Sequence, residues 1–265
     1  MTNKKVASNR KNAKKDLSKV EANFDEKRGI MEKIKLNFSS MKVSMEKLLK
    51  AGVHFGHNKS YKDPRMEKYI FGIKRGINII DLEKTQVELN KTLEFVKSIL
   101  AEDKKILFVG TKKQAKMMIE AVARECDMYF VSERWLGGTF TNFEVVKKRA
   151  QYLRKSQEKL LAGGFDKYTK LEKLKKTEEL EKLEKKMGGI KNMTSLPGAI
   201  FISDIKTDEI ALKEARNANV PIIAIVDTNV NPEKVDYPIP ANDDAISSIR
   251  LILEYIGGAI INKKS

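Results

Sequence analysis

The sequence predicts an α/β fold: a parallel, doubly wound sheet with helices on both faces and a helical segment inserted into it. Three observations predict it. Short runs that are apolar on every residue recur, KILFVG (105–110), AIFISD (199–204) and PIIAIVDT (221–228), and strands buried on both faces belong inside a parallel sheet. Segments with apolar residues at helical spacing separate these runs, as crossover connections between parallel strands require. Between 133 and 196 the alternation stops, and two long charged helical segments take its place.

Residues 1–40 begin MTNKKVASNRKNAKK and are too poor in large apolar side chains to offset the entropy of ordering. They are expected to be a flexible basic extension, either an arm that touches RNA or a solvated tail. Regular structure is expected from Ser44. SMEKLLKAG offers a serine N-cap, an acid in the first turn, Leu48 and Leu49 facing inward, and Gly52 as a stop. HFGHNKSYKDPRMEKYIFGIKRG follows as a loop-rich stretch, and GINIIDL (76–82) opens the alternation as a short β-branched run. Val87, Leu89, Leu93, Val96 and Leu100 give residues 83–100 a helical period; Ala115, Met118, Ile119 and Val122 do the same for 112–124. MYFVS (128–132) is another strand. After the interruption come AIFISD, a helix over 208–217, PIIAIVDT, a short edge strand in DYPIP (236–240), and a closing helix over 243–261 capped by Asn242 or Asp243.

The insertion has its own pattern. Val146, Leu153 and Leu160 recur every seventh residue in 141–162, and Leu171, Leu174, Leu180, Leu183 and Met187 form a second stripe in 169–187. A stripe that narrow, with lysines and glutamates elsewhere, suits a coiled-coil seam. Residues 141–187 are therefore expected to form a protruding antiparallel hairpin, each helix about 30 Å long. Residues 41–140 and 188–265 then make the α/β domain. RWLGGTFTNF (134–143) joins the two: Gly137 and Gly138 permit a sharp turn, Trp135 and Leu136 wedge the junction, and Thr141 with Glu144 has the spacing of a capping box.

Of the 265 residues 41% are hydrophobic and 33% charged, and the formal net charge is +16. That excess is uneven: +6 over 1–40, +13 over 41–196 and −3 over 197–265. A polyanionic partner facing the first three quarters of the chain is the physical implication. The single cysteine, Cys126, rules out an internal disulfide and a multi-cysteine zinc site, and is expected to be buried. No run of 18 apolar residues exists to span a membrane, no apolar segment follows the basic N-terminus, and a cytosolic protein is expected.

Catalytic constellations are hard to assemble. Gly110 stands alone after KILFVG, whereas phosphate-binding loops need several glycines. His54 and His57, the only histidines, share one loop with just Asp63 as a nearby third ligand, so neither a metal nor any cofactor is expected. Asp204, Asp227, Asp243 and Asp244 fall where doubly wound folds bind ligands; Asp227 in VDTN is the best candidate for an enzyme residue or an ion ligand, with turn capping as its ordinary role. Basic clusters are the stronger signal. Lys59, Lys62, Arg65 and Lys68 alternate with Tyr61 and Tyr69; Lys74 and Arg75 lie between glycines; Lys112 and Lys113 follow a strand; Arg134 precedes the junction; Lys147, Lys148 and Arg149 open the insertion. Cations neutralise phosphates while aromatic faces stack on bases, so these residues are the candidate RNA contacts.

Seven stretches together carry a family resemblance: KAGVHFGHNKSYKDPRM, INIIDLEKT, ILFVGTKKQA, RWLGGTFTNF, EKLEKKMGGIKNM, LPGAIFISD and VPIIAIVDTNVNPEKVDYPIPANDDAI. In order, from Met41 to Ile261, they closely resemble the bacterial form of small-ribosomal-subunit protein two, the uS2 family. The resemblance implies a flavodoxin-like sheet with an inserted coiled-coil hairpin. It also implies a non-catalytic ribosomal component in the cytoplasm that binds small-subunit ribosomal RNA where head meets body, on the solvent side. The implied partners are that RNA and neighbouring small-subunit proteins, including ribosomal protein one, which such proteins help to anchor. Neither a membrane nor a second copy of the chain is implied. The resemblance does not extend to residues 1–40.

Overall fold

A computed structural model of the chain describes residues 36–38, 43–161 and 169–264. The expected flexibility of 1–40 falls almost wholly on residues outside that set, as does the turn between the two inserted helices.

The main sheet has the strand order β5–β4–β6–β7–β8, from β4 (Ile106–Val109), β5 (Tyr129–Val131), β6 (Ala199–Ile202), β7 (Ile222–Val226) and β8 (Tyr237–Pro240). Every neighbouring pair is parallel. Counting these strands from the first, the order is 2-1-3-4-5, the doubly wound arrangement whose switch point lies between β4 and β6. All residues of β4, β6 and β7 are buried, which is why they read as unbroken apolar runs. Pro238 and Pro240 sit in β8 at the sheet edge, where a missing N–H costs no ladder bond.

Helices cover both faces. α1 (Met45–Lys50), α2 (Leu82–Ala101), α3 (Lys116–Glu125) and α7 (Ile246–Lys264) pack together, with Cys126 buried beside them. The other face receives α6 (Glu209–Asn217), whose buried Ala211, Leu212 and Ala215 meet Ile200, Ile202, Ile222 and Ala224. Trp135, Phe140, Val146, Ala150, Leu153, Leu180 and Met187 join that same core, and so bring α4 (Phe143–Leu161) and α5 (Lys170–Met187) onto it.

The structure departs from expectation in four places. The loop-rich stretch and GINIIDL form a separate three-stranded antiparallel sheet, β1 (Phe55–Asn58), β3 (Ile77–Ile80) and β2 (Ile70–Lys74), rather than leading into the parallel one. Arg75 and Gly76 both take positive φ (50° and 79°), the geometry of a tight two-residue hairpin turn. Leu49, expected inward, is exposed, because a helix of six residues presents only Leu48 to the core. α4 starts at Phe143, and the capping box that forms is Thr169 with Glu172 on α5, not Thr141 with Glu144. Finally, the stripe is buried at Val146, Leu153, Leu180 and Met187, whereas Leu171 and Leu174 are exposed by 63% and 45%.

Candidate nucleic-acid interface

The small sheet is held on the domain by polar bonds to the loop after β7. The His57 amide donates to the Thr228 hydroxyl (2.9 Å), and the Asp63 amide to the Thr228 carbonyl (2.8 Å). The amide of Lys59 donates to the carbonyl of Gly76 (2.9 Å), which brings Lys59 to the Lys74–Arg75 turn. Asp63 caps a 3-10 turn over Pro64–Tyr69, its carboxylate accepting from the Arg65 amide (2.9 Å). Met66 and Tyr69 are buried under this turn, and the intervening cations are left outside.

Lys59, Tyr61, Arg65, Lys68, Lys74 and Arg75 are all exposed. Arg65 is 3.4 Å from Glu233, and the Lys68 ammonium lies 5.1 Å from the Tyr69 ring centre. Lys62 is half-buried and bonded to Glu67. A second set flanks the open end of β4 and β5: Lys113 and Arg134 are exposed there, and Lys148 and Arg149 on the first turns of α4. Lys147 lies 5.8 Å over the Phe143 ring. The two sets sit on different elements, with no bond joining them among the described residues.

Lys112 faces the other way. Its ammonium lies 2.8 Å from Asp243, 2.8 Å from Asp244 and 3.3 Å from Asp204. Burial opposes its charge, but the hydrogen bonds to Asp243 and Asp244 more than compensate and raise its pKa well above the usual lysine value. Lys112 therefore balances buried carboxylates, and an ammonium so engaged is a poor phosphate ligand. Asp227 is buried nearby; it accepts from the amides of Thr228 and Asp243 and lies 3.2 Å from His57 Nδ1. The hydrogen bond to Asp227 raises the His57 pKa. Burial, with Asp204 and Asp227 close by, pushes Asp243 up to about 7.

This network fills the ligand-binding edge of the sheet with the protein's own ion pairs. One donor atom each from His57, Asp227 and Asp243 lie within 4.8 Å of one another, a set that could hold a divalent cation. Local spacing groups His57 with His54 and Asp63 instead; His57 and Asp227 are 170 residues apart in the chain, and no local spacing links them. A Cβ on Gly110 would meet Ile119 and the Ser203 hydroxyl at 2.6 and 2.8 Å, so this glycine serves close packing.

The junction is built as a compact turn. Trp135 is buried and meets Phe140 edge-on, ring centres 5.2 Å apart. Gly138 has φ +90°, a conformation open to glycine, while a Cβ on Gly137 would meet nothing within 4 Å. Thr141 is exposed. Sequence reading missed two features. Phe71, 81% exposed, shares one face of β2 with Ile73; the alternation Phe71–Gly72–Ile73 was the available signal. Glu214, a buried acid on α6, binds the turn from 74 residues away and leaves no local trace.

The family model described as ribosomal protein S2 matches residues 48–263. A protein of Dehalococcoides mccartyi, small ribosomal subunit protein uS2, is 45% identical over 223 residues, covering 84% of this chain and 91% of the relative. One of Treponema pallidum with the same description is 46% identical over 219 residues, covering 83% and 75%. With the match running through both sheets, the junction and the inserted helices, the chain belongs to the ribosomal protein S2 family, a structural and non-enzymatic one.

Proposed function

We propose that this chain is a structural component of the small ribosomal subunit that binds ribosomal RNA at the head–body junction on the solvent side. The observation that carries the reading is the exposed cation set on a polar-anchored sheet, within a segment of net charge +13. Lys59, Lys74 and Arg75 converge at one turn, Tyr61 offers a ring for stacking, and Arg65 and Lys68 continue the surface; Lys113, Arg134, Lys148 and Arg149 form a second contact. Residues 141–187 are a coiled-coil hairpin whose base is seated on the domain core at Val146, Leu153, Leu180 and Met187 and whose outer part projects. The exposed Leu171 and Leu174 belong to its outer part, where neighbours on the subunit cover them. The apolar face of Phe71 and Ile73, too hydrophobic for phosphate, receives a protein partner, ribosomal protein one.

A salt titration of binding to small-subunit ribosomal RNA tests this reading. Log K should fall steeply and linearly with log salt, and replacing Lys74 or Arg75 by alanine should reduce the slope by about 1 for each phosphate contact removed. A flat salt dependence, or slopes that ignore both substitutions, would remove the interface.

A further inference from the structure

We propose that Glu214 is the positioning residue that fixes the direction in which the chain leaves the sheet for the inserted helices. The functional part of this idea rests on the reading of those helices as a projecting, partner-contacting arm; the positioning part does not. Glu214 is 7% exposed on α6, a helix seated on the sheet by Ala211, Leu212 and Ala215. Its two carboxylate oxygens accept separately from the junction backbone: Oε1 from the Gly138 amide (2.7 Å), Oε2 from the Phe140 amide (3.0 Å). The turn they grip is braced internally. The Thr139 hydroxyl donates to the Leu136 carbonyl (2.6 Å), and the Asn142 amide donates to the Gly138 carbonyl (2.8 Å), one residue before α4 begins.

The chemistry selects a carboxylate. One hydrogen bond holds a loop at a point but lets it swivel; two bonds to donors two residues apart fix its orientation as well. A carboxylate presents two acceptor oxygens and no donor, whereas a glutamine amide would turn an N–H toward one of the two backbone N–H groups. An anion this buried is tolerated because both oxygens are satisfied by charge-assisted bonds. Packing alone would place an apolar residue here, as it does at Ala211, Leu212 and Ala215 on the same helix.

The test uses the full chain with cysteines at exposed Glu94 on α2 and Glu158 on α4, spin-labelled while buried Cys126 stays unreactive. Pulsed dipolar spectroscopy reads the distance between the sheet domain and the inserted helices in the free protein. Glu214→Gln should broaden that distribution with unchanged helix content, while Glu209→Gln, exposed on the same helix, should leave it narrow. In the unsubstituted chain the Gly138 and Phe140 amides should be protected from hydrogen exchange, a readout that does not need the variant to fold. Affinity of Glu214→Gln for ribosomal RNA should drop by roughly tenfold, at a lower salt slope, because Lys148 and Arg149 ride on α4. An unaltered distance distribution with only a lower melting temperature, or free exchange at both amides, overturns the assignment. If the unsubstituted chain fails to bind the RNA while the distribution still broadens, it is the proposed function that fails.

Discussion

Asp243 shows how one residue couples the fold to pH. Burial and the nearby Asp204 and Asp227 raise its pKa to about 7, and the hydrogen bond to Asp227 raises that of His57. Both shifts have the same sign. A group whose folded pKa lies above its unfolded one contributes stability that is complete below the unfolded value and is lost as pH rises through the folded one. In buffer with a chelator, the melting temperature should therefore fall by on the order of 5 °C between about pH 5 and about pH 8. Asp243→Asn should reduce that slope to the part His57 contributes, with Asp204 and Asp244 left to bond Lys112; an undiminished slope contradicts the assignment. Phe71 poses the opposite case. Because it is 81% exposed, Phe71→Ala should change stability by about 0.5 kcal/mol or less. The same substitution should weaken retention of ribosomal protein one on isolated subunits by roughly tenfold or more, as loss of an aromatic anchor does. Retention equal to that of the unsubstituted chain would vacate the β2 face.

At the scale of elements, the return from the insertion depends on close approach. A Cβ on Gly189, just after α5, would collide with the carbonyl oxygen and ring of Phe130 in β5. Gly189→Ala should cost about 1–3 kcal/mol or more in a denaturant titration, because backbone must shift. Gly72→Ala, where a Cβ meets nothing within 4 Å, is the matched control and should be near neutral. The same contrast explains what the sequence makes legible. β4, β6 and β7 announce themselves because both their faces are buried, and α2 and α6 because each hides one face. The small sheet does not: β1 mixes exposed and half-buried residues, β2 is largely exposed, and although GINIIDL reads as a β-branched run its pairing is set by the Arg75–Gly76 turn and by Thr228, far along the chain. The basic residues of the candidate interface were visible as clusters, but composition could not separate Lys113, which is exposed, from Lys112, which turns inward to Asp243. That distinction belongs to tertiary packing, as do the Glu214 clamp and the grouping of His57 with Asp227.

For the molecule as a whole, the division of charge matches the division of labour. The segment of net charge +13 carries the small sheet, the junction and the inserted helices, and the last segment, net −3, supplies the carboxylates that close the sheet's open edge. No helix among the described residues is long and apolar enough to cross a membrane, and the relatives of the family align along both segments. We propose residence of the chain on the small subunit, bound to its RNA. It is tested most directly by sedimenting cell lysate through a sucrose gradient and quantifying the chain against other small-subunit proteins in each fraction. One copy per small subunit, released only at high salt, is expected. A chain found at the top of the gradient at ordinary salt, with small subunits otherwise complete, would contradict it.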